Sequence, residues 1–404
     1  MNNFAPHLST HSIQTLLKLA CVAAILAGCG GGGSSGNSGA SSFASGPIQG
    51  LGSVIVNGVR FDDSSASVSS EDDDANEVHK SSDLKVGMVV TIQGGAITSD
   101  DSGRHAKARE IHFGSELVGP ATAIVVDAGG LSGTFKVLNQ TVTVDKSTAF
   151  DDSLSGGFAG LKDGTVVEVH GLFDAAKTVY TATRVEAKAN ATEFKIRGAV
   201  SALTATTFKI GDKTINFASI TPVPTLKDGQ IVRVKVQKTP NAAGELVAIR
   251  IKSGERKVED HDEAEIKGAV ADLSPDGKSF SVGAVKVDAN KVANLPTLKA
   301  GDFVEVEGSL TNGTLVARKV ELEDDDAPGA GEFEFHRKIT KVVGASTFDL
   351  GTTTIVWDDK TVFVKGTTSA SLVVDACVEV KAVTKSGSTS LLATRIKLDN
   401  SCTQ

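Results

Sequence analysis

An all-β fold is predicted for this chain: a tandem array of five small OB-like five-stranded β-barrel repeats, with small open β-sandwiches as the alternative. Two observations carry the prediction. Short stretches alternate apolar and polar residues, as where Val304 and Val306 interleave with Glu305 and Glu307, which is the period of a half-buried strand. Three signatures also recur in the same order along the chain, the mark of a repeat architecture. Beyond the N-terminal apolar run, no window keeps a helical period.

The elements follow from the N-terminus. Residues Leu16 to Leu26 are apolar except for Lys18 and lead into Leu26-Ala27-Gly28-Cys29. The run is too short to span a bilayer and has the make-up of a secretory h-region, and its last four residues form a lipobox. Residues 1–28 are therefore expected to be a lipoprotein signal peptide, with Cys29 as the lipidated first residue of the mature chain. An ordinary cleaved signal peptide is the alternative. Residues 29–45, opening with Gly30-Gly31-Gly32-Gly33-Ser34-Ser35, have little to bury and are expected to form a flexible tether. Position 30 is Gly rather than Asp, which by likeness to enterobacterial sorting implies an outer-membrane address. The acyl chains at Cys29 would hold the protein there, on the periplasmic face or at the cell surface.

The repeats begin after the tether. The first signature is a small residue, an aromatic, any residue and an aliphatic: Thr134-Phe135-Lys136-Val137, Thr207-Phe208-Lys209-Ile210, Ser279-Phe280-Ser281-Val282 and Thr347-Phe348-Asp349-Leu350, with a degenerate copy at Ser53-Val54-Ile55-Val56. The second is a Gly before an alternating strand, at Gly87, Gly164, Gly229 and Gly301, with Asp375 in the fifth copy. The third pairs Ala108 with Ile111, Ala182 with Val185, Ala248 with Ile251, Ala317 with Val320 and Ala393 with Ile396. These aliphatic residues recur about every seventy positions. The units are placed at 46–114, 115–190, 191–255, 262–324 and 331–404.

In the third unit the strands are expected at Phe194 to Ala202, Thr207 to Ile210, Lys213 to Phe217, Gln230 to Gln237 and Leu246 to Lys252. Gly211-Asp212 supplies a tight hairpin turn between the second and third. The segment with Leu226-Lys227-Asp228-Gly229 occupies the place where a small five-stranded barrel often carries a helix.

The lipobox and Gly/Ser tether, together with Gly52 to Asp62 (GSVIVNGVRFD), Leu84 to Gly94 (LKVGMVVTIQG) and Ser115 to Ile124 (SELVGPATAI), resemble the bacterial lipoproteins of domain of unknown function family 5666. The acidic insertion Ser69 to Lys80 and the Asp at 375 depart from the pattern. The resemblance implies a β-rich envelope protein. It brings no catalytic residues.

Of the four cysteines, Cys21 leaves with the signal peptide and Cys29 is acylated, so Cys377 and Cys402 remain in an oxidising compartment. Cys377 opens a fourth strand and Cys402 lies just past the antiparallel fifth, so a disulfide between them is expected. Acidic runs at Glu71 to Asp74, Glu259 to Glu263 and Glu321 to Asp326 lack the ligand spacing of a calcium loop and are expected to be solvated linkers. His79, His105, His112, His170, His261 and His336 show no zinc-type spacing. His170 falls in a slot expected to face solvent, and Trp357 takes a core position. No metal or cofactor is expected.

Nor does the sequence carry a nucleophile elbow, a Ser-x-x-Lys pair, a P-loop or a dinucleotide fingerprint, so no catalytic residue is named and no enzyme is expected. Across 404 residues the net charge is −8 with one Trp and one Tyr, which speaks against a basic nucleic-acid surface with stacking aromatics. The expected function is a non-catalytic, lipid-anchored envelope protein acting as a structural or partner-binding module, with an oligosaccharide- or divalent-cation-binding lipoprotein as the alternative. Its expected partners are the membrane through the anchor and an envelope protein or glycan, without nucleic acid.

Overall fold

The structure is a computed structural model that describes residues 40–71, 77–100, 103–254, 258–283, 285–323, 331–399 and 402. The expected signal peptide, Cys29 and the Gly-rich start of the tether lie outside the described residues.

Each repeat is a closed barrel whose strands neighbour one another in the order one-two-three-five-four and back to one, the OB topology. In repeat two the strands are Leu117–Val126, Gly133–Val137, Gln140–Val144, Val166–Asp174 and Val179–Ala187. The first pairs antiparallel with the second and fourth, the third runs parallel to the fifth, and the fourth and fifth form an antiparallel hairpin. Repeat four repeats this with His261–Ala271, Ser279–Val282, Val285–Asp288, Phe303–Thr311 and Thr314–Leu322. In repeat three the strands are Phe194–Ala199, Thr207–Ile210, Lys213–Asn216, Ile231–Val236 and Leu246–Ser253, each end within a few residues of expectation. Closure excludes the open sandwich.

The three signatures have separate physical causes. The aromatic of the first plugs its barrel, and Phe135, Phe208, Phe280 and Phe348 are all buried. The Gly of the second has positive φ at Gly87, Gly164, Gly229 and Gly301, and its N–H donates to a carbonyl in or just past a segment of the first strand, as from Gly164 to Ala121 at 2.8 Å. Asp375 holds the same left-handed turn at φ 67 and donates to Ile339 at 2.9 Å, since Asp is among the few side chains that tolerate this region. The Ala of the third comes just before a β-bulge in every fifth strand, where the extra residues are Arg109, Thr183, Ile249, Arg318 and Thr394: Gly94 faces Ala108, Gly171 faces Ala182, Val236 faces Ala248, Gly308 faces Ala317 and Ala382 faces Ala393. A bulge bends a strand sharply, and the closed corner leaves space only for a small residue beside it.

The helix expected between strands three and four is a single turn at Gly157–Gly160 in repeat two, and a 3-10 turn at Ser81–Asp83 in repeat one and Ser369–Ser371 in repeat five. Repeat three passes through that segment without one among its described residues.

Two expectations about the ends of repeats are corrected. The tether, placed through residue 45, gives way to a strand at Ser41–Pro47 that pairs antiparallel with Val89–Gly95 and parallel with the first strand of repeat four. Although poor in strand formers, this segment is held from both sides, because each neighbour accepts and donates backbone hydrogen bonds. The run Glu259–Glu263, expected as a linker, enters that repeat-four strand at His261. Its acids dock repeat one: Asp262 accepts from the Ser41 N–H at 2.9 Å, and Glu263 from the Ile97 N–H at 3.0 Å.

The barrels therefore do not string out. Repeats one and five share one apolar cluster, repeats two and three share a second, and Phe43 of repeat one sits in the cluster of repeat four. Gly50 and Leu51 pair in parallel with Glu334 and Phe335 of repeat five, and Arg60 reaches Glu334. The tandem array is thus a cluster of barrels packed on one another.

Candidate functional site

Repeats one to four enclose a cleft of about 430 Å³. Repeat two supplies Leu172, Phe173 and Tyr180, repeat three Arg197 to Ala199 and Ile231, repeat four Ile266 to Ala269 and Ala271, and repeat one Phe43 and Ser45. Most of this lining is apolar. Strand periodicity alone explains it, because the outward residues of one barrel become inward residues once a second barrel covers them.

A charge pair closes one side. Arg197, on the first strand of repeat three, gives Nη1 to both carboxylate oxygens of Glu116, at 2.8 and 2.6 Å, and Nε and Nη2 to the Gly254 carbonyl at 3.0 and 2.7 Å. Burial works against the Arg197 charge, and the Glu116 carboxylate more than offsets it, so the guanidinium pKa stands above its ordinary value. The Tyr180 hydroxyl donates to the Arg197 carbonyl. Burial, with Glu116 adding to it, pushes that phenol above its usual range, so it stays protonated. The other titratable groups lining the cleft are Lys267 and Asp272, and Lys267 is paired with Glu323 at 2.6 Å. This arrangement has the shape and the placed polar groups to hold and orient a molecule; it places no activated nucleophile beside a base among the described residues.

The residues singled out in the sequence lie elsewhere. Cys377 and Cys402 form a disulfide with Cα atoms 5.6 Å apart. His336 brings a ring nitrogen within 4.8 Å of both sulfurs. His112 contacts Ser69 Oγ at 2.6 Å and Glu110 at 3.3 Å, and His105 lies 3.3 Å from Asp100. Trp357 packs on the core between Phe348 and Phe363, as its repeat position implies.

His170 is a correction. Rather than facing solvent it is 1% exposed, with Nδ1 3.2 Å from the Gly114 carbonyl. Burial pulls its pKa down. Strand parity had placed it correctly on the outside of its barrel, but the segment that joins repeats one and two covers that outside. The cleft residues gave no sequence signal for the same reason: they belong to repeats that are distant in the chain.

Five OB-type barrels, four of them around an apolar cleft, define a β-barrel repeat protein. The chain belongs to the family described as Domain of unknown function (DUF5666), whose sequence model matches residues 118–186, 197–252, 267–321 and 338–397. Repeat one lies outside those matches, yet it has the same strand order, with its first strand broken into Ser41–Pro47 and Gly50–Leu51. Among curated proteins none matches the chain.

Two solved structures are similar. One, titled drosophila Unr CSD456, is 13% identical, covers 57% of this chain and 99% of its own, and has a TM-score of 0.14. The other, from Streptococcus pneumoniae, is described as a multidomain protein with nucleic acid binding domains; it is 9% identical, covers 50% of this chain and 72% of its own, and also has a TM-score of 0.14. The partner expectation is corrected on this finding. It named a membrane held through Cys29 and an envelope protein or glycan, and it excluded nucleic acid. The one partner class printed for these structures is nucleic acid. The exclusion of nucleic acid had rested on the whole-chain charge, which does not describe local patches: Lys195, Arg233, Lys235, Arg250 and Lys252 line one depression with Glu71, Arg233 and Lys235 being paired with Glu71 and Glu193. At these scores the likeness reaches no further.

Proposed function

We propose that this chain is a non-catalytic, exported binding protein that holds a small, uncharged and largely apolar molecule in the cleft between repeats one to four. The cleft itself supports this reading. Its volume of about 430 Å³ falls in the range of small-molecule sites, which are mostly apolar with a few placed polar groups. Its strongest charges, Arg197 and Glu116, satisfy each other and the Gly254 carbonyl, so a charged ligand would gain little there. Export is supported by the h-region and lipobox before Cys29, and by a disulfide of the kind that persists in oxidising compartments.

The test is a fluorescence titration of the chain with the neutral probe N-phenyl-1-naphthylamine, beside Ala199→Trp and Ala271→Trp, which fill the cleft. Saturable binding lost in both variants, with melting unchanged, is the expected result. Binding that does not saturate, or that both variants retain, overturns the proposal.

A further inference from the structure

Three ligand atoms of the kind that bind soft divalent metals converge on the outer face of barrel five. The pairing of strands Phe333–Lys338 and Cys377–Thr384 sets His336 opposite Glu379 and Lys338 opposite Cys377. His336 and Cys377 are therefore diagonal neighbours on one face of the sheet. The next strand, Leu391–Leu398, ends beside them: the Asp399 N–H donates to the Cys377 carbonyl at 3.0 Å, and Cys402 follows in the disulfide. One ring nitrogen of His336 and the two sulfurs all lie within 4.8 Å of one another. Asp399 Oδ2 stands 3.2 Å from His336 Nε2, which is closed off from solvent and makes no hydrogen bond among the described residues.

We propose that reduction of the Cys377–Cys402 disulfide opens a zinc-type site in which Cys377, Cys402 and His336 are the protein ligands, with Asp399 beside the imidazole. Two thiolates and an imidazole are three donors suited to zinc, which takes water as a fourth ligand when the protein supplies three. With metal bonds of about 2.0–2.3 Å, such ligand atoms stand about 3.3–3.8 Å apart. Breaking the S–S bond lets the sulfurs separate to that spacing, and the ring nitrogen of His336, within 4.8 Å of both, has at most about 1.5 Å to close. The redox step balances with a dithiol as reductant: it gives two electrons and two protons, becomes its own disulfide, and leaves Cys377 and Cys402 as thiols. The incoming divalent ion then displaces both thiol protons to solvent and keeps its charge. Metal and disulfide exclude each other, so binding of the ion favours the reduced chain. The site shares no residue with the cleft.

The test uses the full chain, reduced with a phosphine and titrated with cobalt(II), then with zinc. Expected is one cobalt per reduced chain, with tetrahedral ligand-field bands and thiolate charge-transfer absorption, both removed by zinc. The oxidised chain gives neither band. Reduced His336→Ala binds cobalt more than about tenfold more weakly, and in its oxidised form it melts like the parent. The proposal is overturned by a reduced chain that keeps its sheet circular dichroism but binds no cobalt. Equal affinity in His336→Ala overturns it as well, as does loss of the sheet signal on reduction that zinc does not restore.

Discussion

Phe43, in the first strand of repeat one, lies stacked on His261, the first strand residue of repeat four, with ring centroids 5.7 Å apart. The contact joins two barrels separated by more than half the chain. Phe43 is 1% exposed and belongs to the apolar cluster of repeat four. Phe43→Ala is expected to lower stability by about 3–5 kcal/mol, the cost of a cavity left by a buried aromatic. Urea unfolding followed by probes in repeats one and four checks this, and both should shift together. A shift confined to repeat one would show that the barrels are independent.

Beside that contact, Glu265 is buried against Arg104 of repeat one, with Lys267, Glu305 and Glu307 nearby. Burial raises its pKa to about 7 from 4.5. The folded state thus holds the proton more tightly than the unfolded state. Its contribution to stability is complete below about pH 4.5 and is lost as pH rises to about 7. Glu265→Gln is expected to flatten the stability profile across that window. Melting of parent and variant between pH 4 and 8 tests it, and parallel profiles would refute the assignment.

Repeats one and two are joined by a polar knot. Arg184 reaches Asp151 at 2.6 Å, the Val86 carbonyl at 3.3 Å and also Glu186, while Lys85 reaches Asp151 at 2.9 Å. Burial works against the Asp151 charge, and hydrogen bonds from Lys85 and Ser153 hold its carboxyl far below the usual range. Arg184→Ala leaves two half-buried or buried carboxylates short of a partner and should cost about 3–5 kcal/mol. Arg184→Lys should recover only part of this, because a single ammonium cannot replace the guanidinium fork. Chemical unfolding of both variants decides.

The disulfide spans a sequence separation of 25. A closed loop of that size restrains the unfolded chain by about 3 kcal/mol. Cys377→Ser with Cys402→Ser is expected to lower the free energy of unfolding by that amount and to leave the cleft's probe affinity unchanged. A double variant as stable as the parent would place the cystine outside the folding energetics.

Much of the architecture was legible because it is local. The left-handed turn at Gly164, the plug at Phe135 and the small residue at Ala182 each answer a constraint within one barrel, and each recurs in every copy in some form. Ser41–Pro47 was not legible. It reads as Ser, Gly, Ala and Pro around one Phe, and it is a strand only because two other strands lie on either side. His170 was misplaced because parity distinguishes the inside of a barrel from its outside, while exposure depends on what covers the outside.

By itself, then, the sequence determined the β class, the repeat period, the five-stranded unit and the pairing of Cys377 with Cys402. These rest on alternation, turn chemistry and contacts near in the chain. Only the tertiary structure decided that repeat one docks on repeats four and five, that Arg197 meets Glu116 beside an apolar cleft, and that His336 stands next to the disulfide. Each of these is a contact between segments distant in the chain that no local rule links. Which faces meet is set by the sum of many weak packing and charge terms across the assembled barrels.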